Sequence, residues 1–132
     1  MNFEGQYLTY AEYQELGGNL SQTPFNLLEY ELRKRLDLYT KRRLVNETDI
    51  PDEVKMCMFK MMTDVEKYAT DSNINLNYSQ ETIDGYSITY GGAQSIQQLI
   101  SAKQFELNET MMSYLYGVII NNEHLIYQGQ LW

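Results

Sequence analysis

Apolar residues recur every three or four positions in the first half of the chain, the spacing that places side chains on one face of an α-helix. The first such stretch, LTYAEYQELGG, predicts a short helix. Thr9 and Glu12 have the spacing of a capping box, in which a hydroxyl and a carboxylate bind the free amides of the first turn. Gly17 or Gly18 then supplies the left-handed residue that ends the helix.

A second helix is predicted to begin at SQTPF, with Thr23 as its N-cap and Pro24 at the first helical position. The pattern continues to about Thr40. Its apolar face is formed by Leu28, Leu32, Leu36 and Tyr39.

The third helix has the clearest pattern in the sequence. Pro51 opens it, Asp52 and Glu53 occupy its first turn, and polar residues follow Ala69, near which it is expected to end. The methionine-rich apolar row predicts a buried core seam rather than an open groove. This row comprises Val54, Cys57, Met58, Met61, Met62 and Val65.

The pattern then changes to short β-favouring runs around Asp84-Gly85, a strong signal for a β-hairpin. A single hairpin is marginally stable alone in water, so this one is expected to lie on the helices or on a neighbouring copy. The side chains predicted to line the ribbon are Ile83, Tyr86, Ile88 and Tyr90.

The C-terminal part is predicted to hold a helical turn at 95–100 and a last helix, opened by the capping-box spacing of Ser101 and Gln104 and ended near Gly117. A β-prone run, a turn at Asn121-Asn122 and an apolar tail follow. The apolar stripe of the last helix comprises Leu107, Met111, Tyr114 and Leu115.

These elements predict a mainly α fold, a small bundle of about four helices with one β-hairpin or extended loop and an extended C-terminal tail. Residues 1–120 are expected to form the bundle, with the hairpin at about 80–92, and residues 121–132 a tail that binds a partner. Because the helical stripes close the bundle without the tail, deletion of residues 125–132 is expected to leave the fold nearly intact.

The charge of the chain is −8 and is unevenly distributed. Residues 1–67 hold nine of the ten Lys and Arg, whereas residues 68–132 hold only Lys103 against six acids. The acidic balance argues against a general nucleic-acid binder. A basic cluster has two possible interpretations. It is either a solvated face with local ion pairs such as Glu29–Arg33 and Glu31–Arg35, or a surface that contacts phosphate or an acidic partner. It comprises Arg33, Lys34, Arg35, Lys41, Arg42 and Arg43.

Residues with catalytic or metal-binding chemistry are sparse. His124 is the only histidine and Cys57 the only cysteine, and no phosphate-binding glycine loop is present. We therefore predict no enzyme activity, no metal and no cofactor. No stretch approaches the roughly 20 apolar residues that span a membrane, and the N-terminus lacks a signal-peptide pattern, which predicts folding in a reducing cytoplasm.

Tyrosine is unusually frequent, with twelve copies. Tyr is favoured at protein interfaces because it buries a large area at a low cost in rotamer entropy. The tyrosines of the C-terminal half therefore predict a protein that assembles with partners. The alternative is that these tyrosines cover the hairpin within one chain. The five that carry this argument are Tyr86, Tyr90, Tyr114, Tyr116 and Tyr127.

Five segments, in this order, carry a resemblance that spans nearly the whole chain: YLTYAEYQELGG, FNLLEYELRKRLDLYTKRRL, IPDEVKMCMFKMM, ETIDGYSITY and MSYLYGVIINNEHLIYQG. The sequence resembles the head–tail connector (adaptor, or head-completion) proteins of tailed bacteriophages. None of the segments is a catalytic signature, so the likeness rests on their order and spacing together.

The resemblance implies a structural protein of the virion neck, assembled in the cytoplasm of the host bacterium. Such proteins form a ring of about twelve copies below the portal protein. The ring extends the channel through which double-stranded DNA passes without specific binding, and presents a platform to the next neck or tail-completion protein. No membrane is involved.

Carried onto this chain, the resemblance places portal contacts in the tail and ring or neck contacts in the hairpin. The portal candidates are Leu125, Ile126, Tyr127 and Gly129, together with Leu131 and Trp132. The ring or neck candidates are Ile83, Asp84, Gly85, Tyr86, Ser87, Ile88 and Tyr90.

Two features depart from the family pattern: Gln128 stands where a basic residue usually precedes the tail glycine, and residues 130–132 extend past it. Two other functions stay open, a small DNA-binding or regulatory domain that uses the basic cluster, and another neck component such as a stopper or tail-completion protein.

Overall fold

The computed structural model describes residues 5–72, 82–83, 86–87 and 93–126. Within these residues, five helices and four two-residue strands form a mainly α fold, which confirms the predicted class. In chain order they are α1 Tyr10–Glu15, α2 Gln22–Tyr39, α3 Asp52–Asp71, β1 Thr82–Ile83, β2 Tyr86–Ser87, α4 Ala93–Ala102, α5 Gln104–Leu115, β3 Ile119–Ile120 and β4 Glu123–His124.

Helix α1 begins and ends as its sequence predicts. The amide of Glu12 donates to Thr9 Oγ1 at 3.2 Å, and the amide of Thr9 donates to Glu12 Oε1 at 2.9 Å, which completes the capping box. Gly17 follows with φ of +99°. At Gly18 an added Cβ would lie 2.1 Å from the ring of Tyr13, so this turn has no room for a larger residue.

Helix α2 begins at Gln22, two residues before its predicted first residue, Pro24. Ser21, rather than Thr23, is the N-cap residue, and Pro24 therefore falls at the third helical position. Proline is tolerated there because the amides of the first turn have no partner within the helix. The helix ends at Tyr39, close to the predicted end.

Helix α3 lies at the centre of the bundle and contacts α2, α4 and α5. Every residue of the predicted seam is fully buried, which confirms the core assignment. Burial of one large apolar side chain contributes about 1.5–3 kcal/mol, so this row is a principal source of stability.

The boundary between α4 and α5 differs from the prediction. The helical turn expected at 95–100 is a ten-residue helix, and Ser101 lies inside it instead of capping the next one. Burial of Ile96, Leu99 and Ile100 extends α4 past Ser101, and Lys103 becomes the N-cap residue of α5. The capping-box spacing at Ser101 was therefore misleading. Gly117, with φ of +88°, lies two residues beyond the end of α5.

The two short antiparallel hairpins match the predicted turn positions. In the first, Ile83 pairs with Tyr86 and Thr82 with Ser87, a register that leaves two residues for the loop. In the second, Ile120 pairs with Glu123, and the intervening Asn121 and Asn122 have φ of 51° and 65°. Paired positive φ values are typical of the type I′ turn that joins two-residue hairpins.

Candidate interaction surfaces

The beginning of the predicted partner-binding tail is part of the chain's own core. Leu125 is fully buried and Ile126 is 3% exposed. The amide of Leu125 donates to the carbonyl of Val118 at 2.8 Å, and Arg43 Nη1 donates to the carbonyl of Leu125 at 3.1 Å. The expectation that Leu125 and Ile126 are available to a portal is therefore corrected: both side chains already have apolar partners within this chain.

The same contacts correct the expected tail boundary at residue 121. The β3–β4 turn is held to the loop after α2, where Asn121 Nδ2 donates to Glu47 Oε2 at 2.9 Å. The folded part of the chain thus continues at least to Ile126. The remaining portal candidates, Tyr127, Gly129, Leu131 and Trp132, lie outside the described residues.

The hairpin candidates are only partly within the described chain. The backbones of Ile83, Tyr86 and Ser87 form the β1–β2 ladder. The candidates Asp84, Gly85, Ile88 and Tyr90 lie outside the described residues. Contact between this hairpin and a ring neighbour or neck protein stays a prediction.

The basic cluster contains an arginine with a structural role. Arg33 is the predicted i, i+4 partner of Glu29, and its Nε lies 3.1 Å from Glu29 Oε1. The pair is not on a solvated face, because Glu29 is fully buried and the Arg33 side chain is only 14% exposed. The guanidinium also lies 5.5 Å from the centre of the Tyr30 ring and 6.0 Å from that of Tyr7.

Glu29 fastens the segment before α1 to helix α2. The amide of Tyr7 donates to Glu29 Oε2 at 2.9 Å, and the phenol of Tyr7 donates to Asp37, about two turns further along α2. Burial raises the pKa of Glu29 to about 7, against the opposing effects of Arg33 and the amides of Tyr7 and Leu8. Burial and the neighbouring Asp37 carboxylate likewise raise the pKa of Tyr7.

This arrangement predicts a pH-dependent stability. The contribution of a carboxyl whose pKa is raised from 4.5 to about 7 is fully present below 4.5 and is lost as the pH rises through 7. Relative to Glu29→Gln, the wild-type free energy of unfolding should therefore fall by roughly 1–3 kcal/mol between pH 5 and pH 8. Urea unfolding of both proteins, followed by circular dichroism, measures this difference. Parallel pH profiles would show that Glu29 does not titrate in this range.

The other cluster residues divide between structural and exposed positions. Arg43 is half-buried beneath the carbonyl of Leu125, whereas Lys34, Lys41 and Arg42 are exposed. Lys34 Nζ lies 5.3 Å from the centre of the Tyr30 ring. Arg35 is half-buried, and its predicted partner Glu31 accepts a hydrogen bond from Gln97 at 3.4 Å. The cluster is therefore not one continuous cationic surface.

Reactive side chains are poorly placed for chemistry. Burial raises the pKa of the Cys57 thiol to about 12, which leaves too little thiolate for nucleophilic reaction. His124 is exposed on β4. Over the described ranges, no three His, Cys, Asp or Glu side chains come together as a metal site, and no helix has the length and apolar character needed to cross a membrane.

An apolar surface along α5 and the residues just after it was not anticipated from the sequence. Among the described residues, seven large apolar side chains are exposed, and four of them lie between residues 105 and 119. Phe105, Met112 and Tyr116 follow one another at seven and four positions, opposite the buried face of α5. Helix α5 therefore has two apolar faces. The sequence predicts only the one that contains Leu107, Met111, Tyr114 and Leu115, of which Leu107, Met111 and Leu115 are buried and Tyr114 is partly buried against the core. These four exposed residues are Phe105, Met112, Tyr116 and Ile119.

A groove of about 690 Å³ runs beside this apolar face. Tyr39, at the end of α2, forms one of its walls, and Phe105 and Met112 of α5 supply its other large apolar surfaces. Polar groups from Ser101, Gln104, Asn108 and Glu109 complete its lining. A shallow apolar groove with polar edges suits an extended peptide better than a small polar ligand.

A second cavity, of about 430 Å³, lies between α1 and the start of α3. Leu8, Leu16 and Met56 provide its apolar lining. Lys55 at its edge forms an ion pair with Glu12, which also caps α1. This ion pair joins α1 to α3, so the cavity is explained by the packing of the bundle.

Comparison with known proteins does not assign the chain to a family. No protein-family model, curated protein or solved structure matches it.

Proposed function

We propose that this protein is a structural connector of a tailed-bacteriophage neck, forming a ring of about twelve copies below the portal. The ring extends the DNA channel and joins the head to the next neck or tail-completion protein. The observation that carries the proposal is the ordered resemblance of five segments across nearly the whole chain. These segments coincide with α1, α2, α3, the β1–β2 hairpin and the region from α5 to β4, so the resemblance follows the architecture of the chain.

We assign the proposed portal contact to the tail residues that follow the core. Leu125 and Ile126 anchor the segment in the core, and the portal contact is assigned to Tyr127, Gly129 and the apolar pair Leu131-Trp132 that follow them. An anchored start lowers the entropy lost when the last residues bind a partner.

The charge distribution favours a channel component over a DNA-binding domain. The net charge of −8 repels DNA phosphates, which suits a channel that passes DNA without holding it. Arg33 and Arg43 of the basic cluster are engaged with Glu29 and the carbonyl of Leu125. Fewer cations therefore remain to release counterions from phosphates.

The proposal predicts a tail-dependent interaction with portal rings. Mixed with purified portal rings of the same phage, the full-length chain should co-sediment with the rings, whereas the chain lacking residues 127–132 should lose at least about tenfold in affinity, or 1.4 kcal/mol. Leu38→Ser is a suitable control, because Leu38 is 81% exposed on α2 and lies outside the tail.

These measurements distinguish two ways in which the proposal can fail. Equal binding of the truncated and full-length chains would overturn the assignment of the contact to residues 127–132. Absence of binding by the full-length chain, with its helical circular dichroism intact, would overturn the neck function itself.

A further inference from the structure

The groove beside α5 exposes large apolar side chains to solvent. Phe105 is 59% exposed and Met112 is 49% exposed, and both line the same groove as Tyr39. Contiguous apolar patches on the surface of a small protein usually mark a binding site. The groove therefore suits a ligand that has apolar side chains and an extended backbone.

We propose that, in the free protein, this groove is occupied by the chain's own C-terminal segment, residues 127–132. The inference goes beyond the neck function, and its test requires no portal. The segment that binds the groove is the chain's own tail rather than the tail of a second copy.

The position of Ile126 brings the start of this segment to the correct end of α5. The amide of Leu125 is bonded to the carbonyl of Val118, and the amide of Val118 to that of Leu115, the last residue of α5. Arg43, which holds the carbonyl of Leu125, follows shortly after Tyr39 in the chain. The chain thus leaves the core close to the C-terminal end of α5, and Arg43 is four residues beyond the groove residue Tyr39 in the sequence.

The remaining six residues are long enough to follow the groove. Fully extended, they span about 20 Å, at 3.3–3.6 Å for each residue. The distance along α5 from Leu115 back to Phe105 is about 15 Å, at 1.5 Å for each residue. The C-terminal residue can therefore reach the apolar part of the groove that Met112 and Phe105 form.

The chemistry of the segment matches that of the groove. Tyr127, Leu131 and Trp132 supply apolar side chains, and the indole N–H of Trp132 requires an acceptor when it is buried. Asn108 and Glu109 offer side-chain oxygens at the groove edge. Amide and hydroxyl groups along the same edge suit the backbone of an extended segment.

The short connection favours the chain's own tail over a neighbour's tail. A segment tethered within reach of its site has an effective concentration in the millimolar range, above that of free protein under ordinary conditions. At micromolar protein, the attached segment therefore occupies the groove first.

Trp132 reports directly on this contact, because it is the only tryptophan in the chain. In the full-length protein we expect its fluorescence to be shifted to shorter wavelength and weakly quenched by acrylamide. The double variant Phe105→Ser/Met112→Ser should show the emission and quenching of a tryptophan in water. Leu38→Ser, which removes an exposed apolar side chain outside the groove, should retain the wild-type emission.

Each other outcome contradicts the proposal. Water-like emission in the full-length chain would show that the tail is not buried, and unchanged emission in the double variant would place Trp132 elsewhere. Loss of the shift on dilution would identify a second copy as the source of the tail. Should the double variant lose its helical circular dichroism, Met112→Gln provides the same comparison with a smaller change. If the protein has the proposed neck function, the portal and the groove compete for residues 127–132. Failure to bind the portal would overturn the neck function and leave the fluorescence test of the groove unaffected.

Discussion

Deletion of residues 125–132, which the sequence alone predicts to be tolerated, is expected from the structure to destabilise the protein severely. The loss is on the order of 4–10 kcal/mol, because the deletion removes two core side chains whose individual loss costs about 2–5 kcal/mol each. Leu125 is fully buried and Ile126 nearly so, and Arg43 also loses the carbonyl to which it donates. Since a small domain is stable by only about 5–15 kcal/mol, the truncated chain should have little or no cooperative unfolding transition. Urea unfolding followed by far-ultraviolet circular dichroism measures the effect.

The matched control is deletion of residues 127–132, which leaves Leu125 and Ile126 in place. That protein should keep its helical spectrum and a cooperative transition. If the two truncated chains were equally stable, Leu125 and Ile126 would contribute nothing to the core. If both failed to fold, stability would depend on residues beyond Ile126.

Met61→Asp is expected to prevent cooperative folding. Met61 is fully buried in the central seam of α3 and belongs to the apolar core, where a carboxylate would be removed from water. Burial of an unpaired charge and loss of the packed side chain together cost more than about 4 kcal/mol, within the exceptional class of single substitutions. Differential scanning calorimetry of the variant should show no transition.

Met56→Asp tests the same substitution on the same helix at a site that is 40% exposed. The new carboxylate stays hydrated there, so the loss should be about 1 kcal/mol or less. Equal destabilisation of the two variants would show that intrinsic helix propensity, rather than burial, determines the effect.

The helices could be predicted from the sequence because each buries a row of apolar residues at helical spacing. The α3 seam is the clearest example, since its whole predicted row is buried. The starts of α2 and α5 differ from their predicted positions. Ser21 and Thr23 are both good N-cap residues, and the proline directly after Thr23 favoured Thr23 because proline is common at the first helical position. At Ser101, tertiary packing of Ile100 and its neighbours overrode a favourable capping-box spacing.

The role of Leu125 and Ile126 could not be predicted because it depends on contacts between distant parts of the chain. An apolar pair in a strand-like tail suits a partner's surface and the chain's own core equally well. The deciding contact joins Arg43 to the Leu125 carbonyl across 82 positions of sequence. No periodicity reports a contact of that range.

The environment of Glu29 likewise could not be predicted from the sequence. Its spacing from Arg33 predicted an ion pair, but not that the pair is buried or that it receives the amide of Tyr7. Both properties follow from the return of the N-terminal segment onto α2. The raised pKa of Glu29 is thus a consequence of tertiary structure.

The apolar face that lines the groove has a signal in the sequence of α5. Phe105 and Met112 repeat at helical spacing on the face of α5 opposite Leu107 and Met111. In a helix with two apolar faces, one face packs on the bundle and the other needs a second partner. Only the structure shows which face remains exposed.

The neck function is tested most directly by electron microscopy of portal rings incubated with the full-length chain. The account predicts a second ring of density, with the symmetry of the portal, coaxial with it at the channel exit. Rings incubated with the chain lacking residues 127–132 should show no such layer. Bare portal rings at saturating full-length protein, or density bound away from the channel axis, would contradict the account.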